Sequence, residues 1–203
     1  MVHFSKNWIA LDGVLSHRLK SQINETLRSI PKHDRWVARD RITKKNLSRV
    51  EVRYIDYDTT DYIRSVLNGF NEVEDPTKTW LINLIDTYKW FFAPFDSSGN
   101  TTKIGELIPE PVQVITYKQR NYHDWHSDGS VGTHRLLTLL VNLSDSEDYE
   151  GGDLQFEGEN EMGQWTREKY TGIIYPSRYP KRLTTITKGI KSCMIVYFRE
   201  KQN

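Results

Sequence analysis

The chain has 203 residues, with 28 basic and 27 acidic side chains and a formal charge of +1. That balance gives no global argument for a nucleic acid or an anionic membrane as partner. A hydrophobic content of 37% with six tryptophans excludes a disordered chain, and the length suits one domain.

In chain order, Leu15, Leu19, Ile23, Leu27 and Ile30 recur at steps of four and three, which predicts an amphipathic helix started by Asp12 or Ser16. Arg35, Arg39, Arg41, Lys44, Lys45, Arg49 and Arg53 form a basic run. It reads as a solvated loop and strand face, with an anionic contact surface as the functional alternative. Val50, Val52, Tyr54 and Ile55 predict a strand. Asp58 or Thr59 opens a second helix through Ile63, Val66, Leu67 and Phe70. Pro76 precedes a third, with Trp80, Leu81, Leu84, Ile85 and Tyr88, capped by Asp75 or Thr77. The stretch from Phe95 to Asn100 is a turn or loop.

After residue 110 the hydrophobic period changes to two. The expected strands are 112–118, 122–127, 134–143, 153–156, 164–169, 171–175, 182–187 and 191–199, with a tight turn at Glu150-Gly151-Gly152-Asp153. Eight short strands broken by loops fit a jelly roll or small barrel better than βαβ units. The expectation is an α+β, mainly β, single domain. Residues 1–109 form a helical part bracing one sheet face, and residues 110–203 form the jelly roll. The only cysteine, Cys193, cannot make an internal disulfide and falls in an alternating run, as a core thiol does. The N-terminus lacks the pattern of a secretory leader, and no run approaches the roughly 18 apolar residues of a spanning helix. A soluble, cytoplasmic protein is expected.

His126 and Asp128 form an H-x-D pair. Residues i and i+2 of a strand share a face, so one imidazole and one carboxylate can aim at a common point. Two legs of a 2-His-1-carboxylate iron site have this spacing. The third leg needs a later histidine. The six histidines are at 3, 17, 33, 123, 126 and 134, so none lies in the last 69 residues. His123 lies three residues from His126, on the opposite face of a regular strand.

The pair has ordered surroundings. Tyr117 precedes it, and Arg135-Leu136-Leu137-Thr138 and Leu140-Val141-Asn142-Leu143 follow. Then come Tyr149-Glu150-Gly151-Gly152-Asp153-Leu154-Gln155-Phe156, Tyr175-Pro176-Ser177 and Ile186-Thr187-Lys188-Gly189-Ile190-Lys191. This set, over residues 110–199, resembles the prolyl 4-hydroxylase-like branch of the 2-oxoglutarate and Fe(II)-dependent dioxygenases.

The resemblance implies a double-stranded β-helix with helices packed on one sheet. It implies His126 and Asp128 as metal ligands, Lys191 as partner of the distal carboxylate of 2-oxoglutarate, and Tyr117 as a donor to that carboxylate. It also exposes a departure. Aligning the Pro-Ser turn and the Thr-Lys-Gly stretch leaves Lys181 where the family has its second ligand histidine. A lysine with its reference pKa of about 10.4 is a cation with three donors and no acceptor. The expectation is that its ammonium sits where the metal would be and pairs with Asp128. Two protein ligands plus 2-oxoglutarate, or a deprotonated lysine, are the alternatives that keep iron.

Two functions follow from this resemblance. One is an active dioxygenase using Fe(II) and 2-oxoglutarate to hydroxylate a peptide or protein side chain. The other is an inactive descendant without cofactor, kept as a binding or structural component with protein assembly partners, for instance in a phage virion. The host cytoplasm or the virion would then be its location. A lectin-like binder is a third and weaker reading. For a peptide, the segment 157–170 with Trp165 and the loop through Trp125 are expected rims of a groove.

Overall fold

The computed structural model describes residues 2–5, 7–15, 20–21, 24, 35–36, 50–55, 76–93, 104–110, 112–129, 133–159 and 164–201. The strands are β1 (Val2–Phe4), β2 (Ile9–Leu11), β3 (Arg35–Trp36), β4 (Val50–Ile55), β5 (Leu107–Pro109), β6 (Val112–Lys118), β7 (His123–His126), β8 (Arg135–Asn142), β9 (Tyr149–Gly151), β10 (Leu154–Phe156), β11 (Gly172–Pro176), β12 (Lys181–Leu183) and β13 (Ile186–Glu200). One α-helix with defined bounds, α1 (Pro76–Tyr88), is present among the described residues. The helix expected from Leu15 to Ile30 falls almost wholly outside them. The helix through Ile63 and Phe70 and the loop from Phe95 to Asn100 fall wholly outside.

The strands form two antiparallel sheets. The larger runs β1-β2-β11-β8-β13-β6-β4-β3, with β5 and β9 also paired to β13, and the smaller runs β10-β12-β7. The chain before residue 110 therefore contributes strands as well as a helix to the sheet.

The two faces of the larger sheet carry different cores, because the alternation along each strand is apolar on both sides. Val114, Leu139, Val141, Met194, Val196 and Phe198 face the layer that contains α1, whose Leu81 and Ile85 are both fully buried. These two helical residues are four apart, one turn, so they lie on one stripe. Ile115, Tyr117, Leu140, Cys193, Ile195 and Tyr197 point the other way, into the roll between the sheets, and meet Leu154, Phe156 and Leu183 of the smaller sheet. Cys193 is a buried free thiol in this interior, as its alternating run predicts, and burial pushes it up to about 11.

Some expected strands differ. Residues 164–169 do not form a strand: Gln164–Arg167 is a 3-10 turn. Its Arg167 donates to the carbonyls of Gly151 and Tyr149 and pairs with Asp153, so side-chain bonds hold it off the ladder. The strands expected at 182–187 and 191–199 are divided differently. A short β12 ends at Leu183, and β13 runs through Gly189 to Glu200. Gly189 has φ +74°, and a Cβ there would run into the Asp148 carbonyl oxygen. Only glycine takes that backbone path without strain. Gly151, in the predicted tight turn, has φ +72° with the Thr185 carbonyl in the same way.

Candidate functional site

The site lies between the two sheets and is set by strand register. β7 and β12 pair with His126 opposite Lys181 and His123 opposite Leu183. Four residues on β7 (123–126) thus span three on β12 (181–183), which is a β-bulge. The bulge breaks the alternation of β7 and brings His123 to the side of His126. The expectation that His123 lies on the opposite face is therefore corrected: both rings line one pocket and stack, with centroids 3.5 Å apart and planes at 11°.

Asp128 follows two residues after His126. Lys181 Nζ lies 2.9 Å from Asp128 Oδ1 and 2.7 Å from His126 Nε2. The Lys181 and Asp128 side chains are each 4% exposed. His126 Nδ1 is 2.6 Å from the Asp124 carbonyl oxygen, which can only accept. The Nδ1 therefore carries a proton, and Nε2 presents a lone pair to the ammonium. The other carboxylate oxygen, Asp128 Oδ2, accepts from the Tyr175 hydroxyl at 2.8 Å. Behind Tyr175, Thr138 and Ser177 share a buried hydroxyl bond of 2.8 Å.

Burial pushes the Asp128 carboxyl up, but the Lys181 ammonium, which also donates a hydrogen bond to it, outweighs burial and holds the group well below the usual carboxylate range. Burial, with the Lys181 charge adding to it, lowers His123 to about 2, so its ring is neutral. Burial, reinforced by the Asp128 charge, raises the Tyr175 phenol well above 10, so it remains a donor.

Tyr117 is buried and lines the same pocket, and burial raises its phenol. Lys191 lies opposite Tyr117 across the β6–β13 ladder. Its Nζ donates to the Gly152 carbonyl at 2.7 Å and sits 4.9 Å from the Tyr149 ring centre. Burial lowers Lys191 to about 8. Trp125 is 41% exposed, with the Arg182 guanidinium 4.8 Å from its ring, and Arg182 also lines the pocket. The Trp165 side chain lies outside the described residues.

Three participants were not singled out from the sequence. Tyr175 sits inside a quoted motif, but nothing in its spacing marks it as the partner of Asp128. Arg135 grips Glu110 through Nε and Nη2, lies 3.7 Å from the Tyr197 ring centre and reaches the Asp128 carbonyl with Nη1. Glu110 lies far from Arg135 in sequence, so only the fold reveals the pair.

The side chains as arranged do not fit Fe(II). An ammonium stands where the His126 and Asp128 donor atoms converge, and its donors repel a cation. His123 does not supply the missing ligand: its ring is stacked face to face on His126, so the in-plane lone pairs of the two rings do not converge. Among the described residues no cluster of three or more His, Cys, Asp or Glu could hold a metal.

Similar proteins share this architecture. A 2OG-Fe(II) oxygenase-family oxidoreductase from Burkholderia pseudomallei superposes with TM-score 0.62 at 14% identity, covering 97% of this chain and 87% of that one. A prolyl hydroxylase from Trichoplax adhaerens, solved with a hypoxia inducible factor oxygen degradation domain peptide, gives 0.57 at 12% identity, covering 97% and 84%. The fold is thus that of the prolyl 4-hydroxylase-like 2-oxoglutarate oxygenases. A PKHD-type hydroxylase from Idiomarina loihiensis, IL0759, is a homologue: 94 residues align at 31% identity, 44% of this chain and 43% of that protein's length. No family model matches the chain.

Proposed function

We propose that this chain is a prolyl 4-hydroxylase-like 2-oxoglutarate oxygenase by descent, and that it engages a peptide or protein segment at the mouth of its roll. The observation that carries the reading is the convergence of His126 and Asp128 on one buried point, in a fold shared with peptide-binding hydroxylases. The PKHD-type homologue supports the same class. The activity carried over from these relatives is hydroxylation of a side chain with Fe(II) and 2-oxoglutarate. In it, His126 and Asp128 would hold the metal, and Lys191 and Tyr117 would hold the distal carboxylate. The exposed Trp125, with Arg182 beside it, is a rim for the segment. Turnover of this kind requires Lys181 to vacate the point between His126 and Asp128.

The contacts of Lys181 favour a second reading of the same scaffold. Its place between His126 and Asp128 suits a descendant kept for binding or assembly, of which a phage virion component is one form. Release of succinate from 2-oxoglutarate, in the presence of Fe(II) and an immobilised peptide array, separates the two. Succinate formation with hydroxylated peptide supports the first. Peptide capture without succinate supports the second, and neither capture nor succinate would sink the proposal.

Among the described residues no helix is long and apolar enough to cross a membrane.

A further inference from the structure

We infer that Lys181 is a built-in cation that takes the place of the metal, so that the folded site is complete without a divalent ion and excludes one. The inference deepens the second of the two readings above. It rests on the geometry of five groups. The ammonium has three N–H donors. One meets the His126 Nε2 lone pair at 2.7 Å and another the Asp128 Oδ1 at 2.9 Å. Those two atoms are the donors that would otherwise bind a metal, in the tautomer and charge state that a metal requires. The remaining oxygen of Asp128 is held by Tyr175, and the remaining nitrogen of His126 is next to the Asp124 carbonyl.

Register explains why lysine can do this from a strand. Lys181 lies directly opposite His126 in the β7–β12 ladder, so its stem crosses only the distance between paired side chains. The stem is buried with the head: the whole residue is 3% exposed. Lys191 is also turned to the protein, onto the Gly152 carbonyl. Among the described residues, both buried lysines thus donate to groups of the chain. A divalent ion entering this site would displace a buried, doubly hydrogen-bonded ammonium and bring two like charges together, which a low-dielectric interior strongly opposes.

The test is thermal unfolding of the full chain in chelator and in excess Mn(II), Co(II) or Zn(II), beside K181H. The unmodified protein is expected to melt at the same temperature in all of them. K181H, folded by circular dichroism, is expected to gain roughly 5–10 °C with metal near a hundredfold excess over its Kd. A metal-dependent rise in the unmodified protein overturns the inference, and so does a folded K181H that binds no metal.

Reductive methylation of the unmodified protein, read by mass spectrometry, tests the inference even if K181H does not fold. Lys181 is expected to label at least about tenfold more slowly than the exposed Lys188; equal rates overturn it. Peptide capture is a separate readout. Its failure would remove the proposed partner while leaving the metal-free site intact, and metal binding by the unmodified protein would do the reverse.

Discussion

At the residue scale, the site is one buried ion pair with its satisfying neighbours, and this makes it sensitive to the loss of either partner. Truncating Lys181 to alanine leaves the Asp128 carboxylate buried and unpaired. We expect Lys181→Ala to lose about 3–5 kcal/mol in urea unfolding at neutral pH. The pH dependence follows from the lowered pKa of Asp128. At acid pH the folded protein binds fewer protons at this group than the unfolded chain, so stability rises with pH. The contribution is present above about pH 4, the unfolded value, and is lost as pH falls below it. Unfolding midpoints between pH 7 and pH 3 should fall more steeply in the unmodified protein than in Lys181→Ala, and equal slopes would show that the pair is not formed.

Lys191 gives the same sign in an alkaline window. Burial lowers it from 10.5 to about 8, so between those values the unfolded chain binds the extra proton and stability rises with pH. The stability difference between Lys191→Met and the unmodified protein should therefore shift in favour of the latter from pH 8 to pH 10.5. A flat difference would mean that the ammonium is solvated.

At the element scale, β7 and β12 carry the site, and α1 supports the far face of the larger sheet. Leu81 is fully buried in the α1 layer, on the side of that sheet away from Lys181. Leu81→Ala should cost about 2–5 kcal/mol through lost burial and the cavity left behind. It should leave the slow labelling of Lys181 unchanged under native conditions.

The legibility of the elements follows their periodicity. Strand 112–118 could be read to the residue, because Val112, Val114, Ile115 and Tyr117 fill the two buried faces in turn. The 3-10 turn at Gln164–Arg167 was hidden, because the bonds that define it run from the Arg167 side chain to distant carbonyls. The same holds for the bulge that turns His123 inward. It is a mismatch between two strands, and neither segment shows it alone.

At the scale of the whole molecule, sequence order and spatial order diverge, and that limits what a linear reading can find. The H-x-D pair and the lysine opposite it were both visible, because short spacing and motif alignment locate them. That Lys181 meets His126 as well as Asp128 depends on the β7–β12 register. That Tyr175 completes Asp128 depends on β11 packing across the roll. Short β1, β2, β5 and β9 carry too few residues to display a period, yet each pairs within the larger sheet or against β13. The result is a roll of the oxygenase fold in which Lys181 stands between His126 and Asp128.

The most direct measurement is an anaerobic titration of the protein with Fe(II) and 2-oxoglutarate together, following the visible charge-transfer band of the chelated metal, with Lys181→His alongside. No band is expected in the unmodified protein, and a band is expected in the variant. A band in the unmodified protein would contradict it, and would mean that Lys181 leaves the site or binds the iron itself.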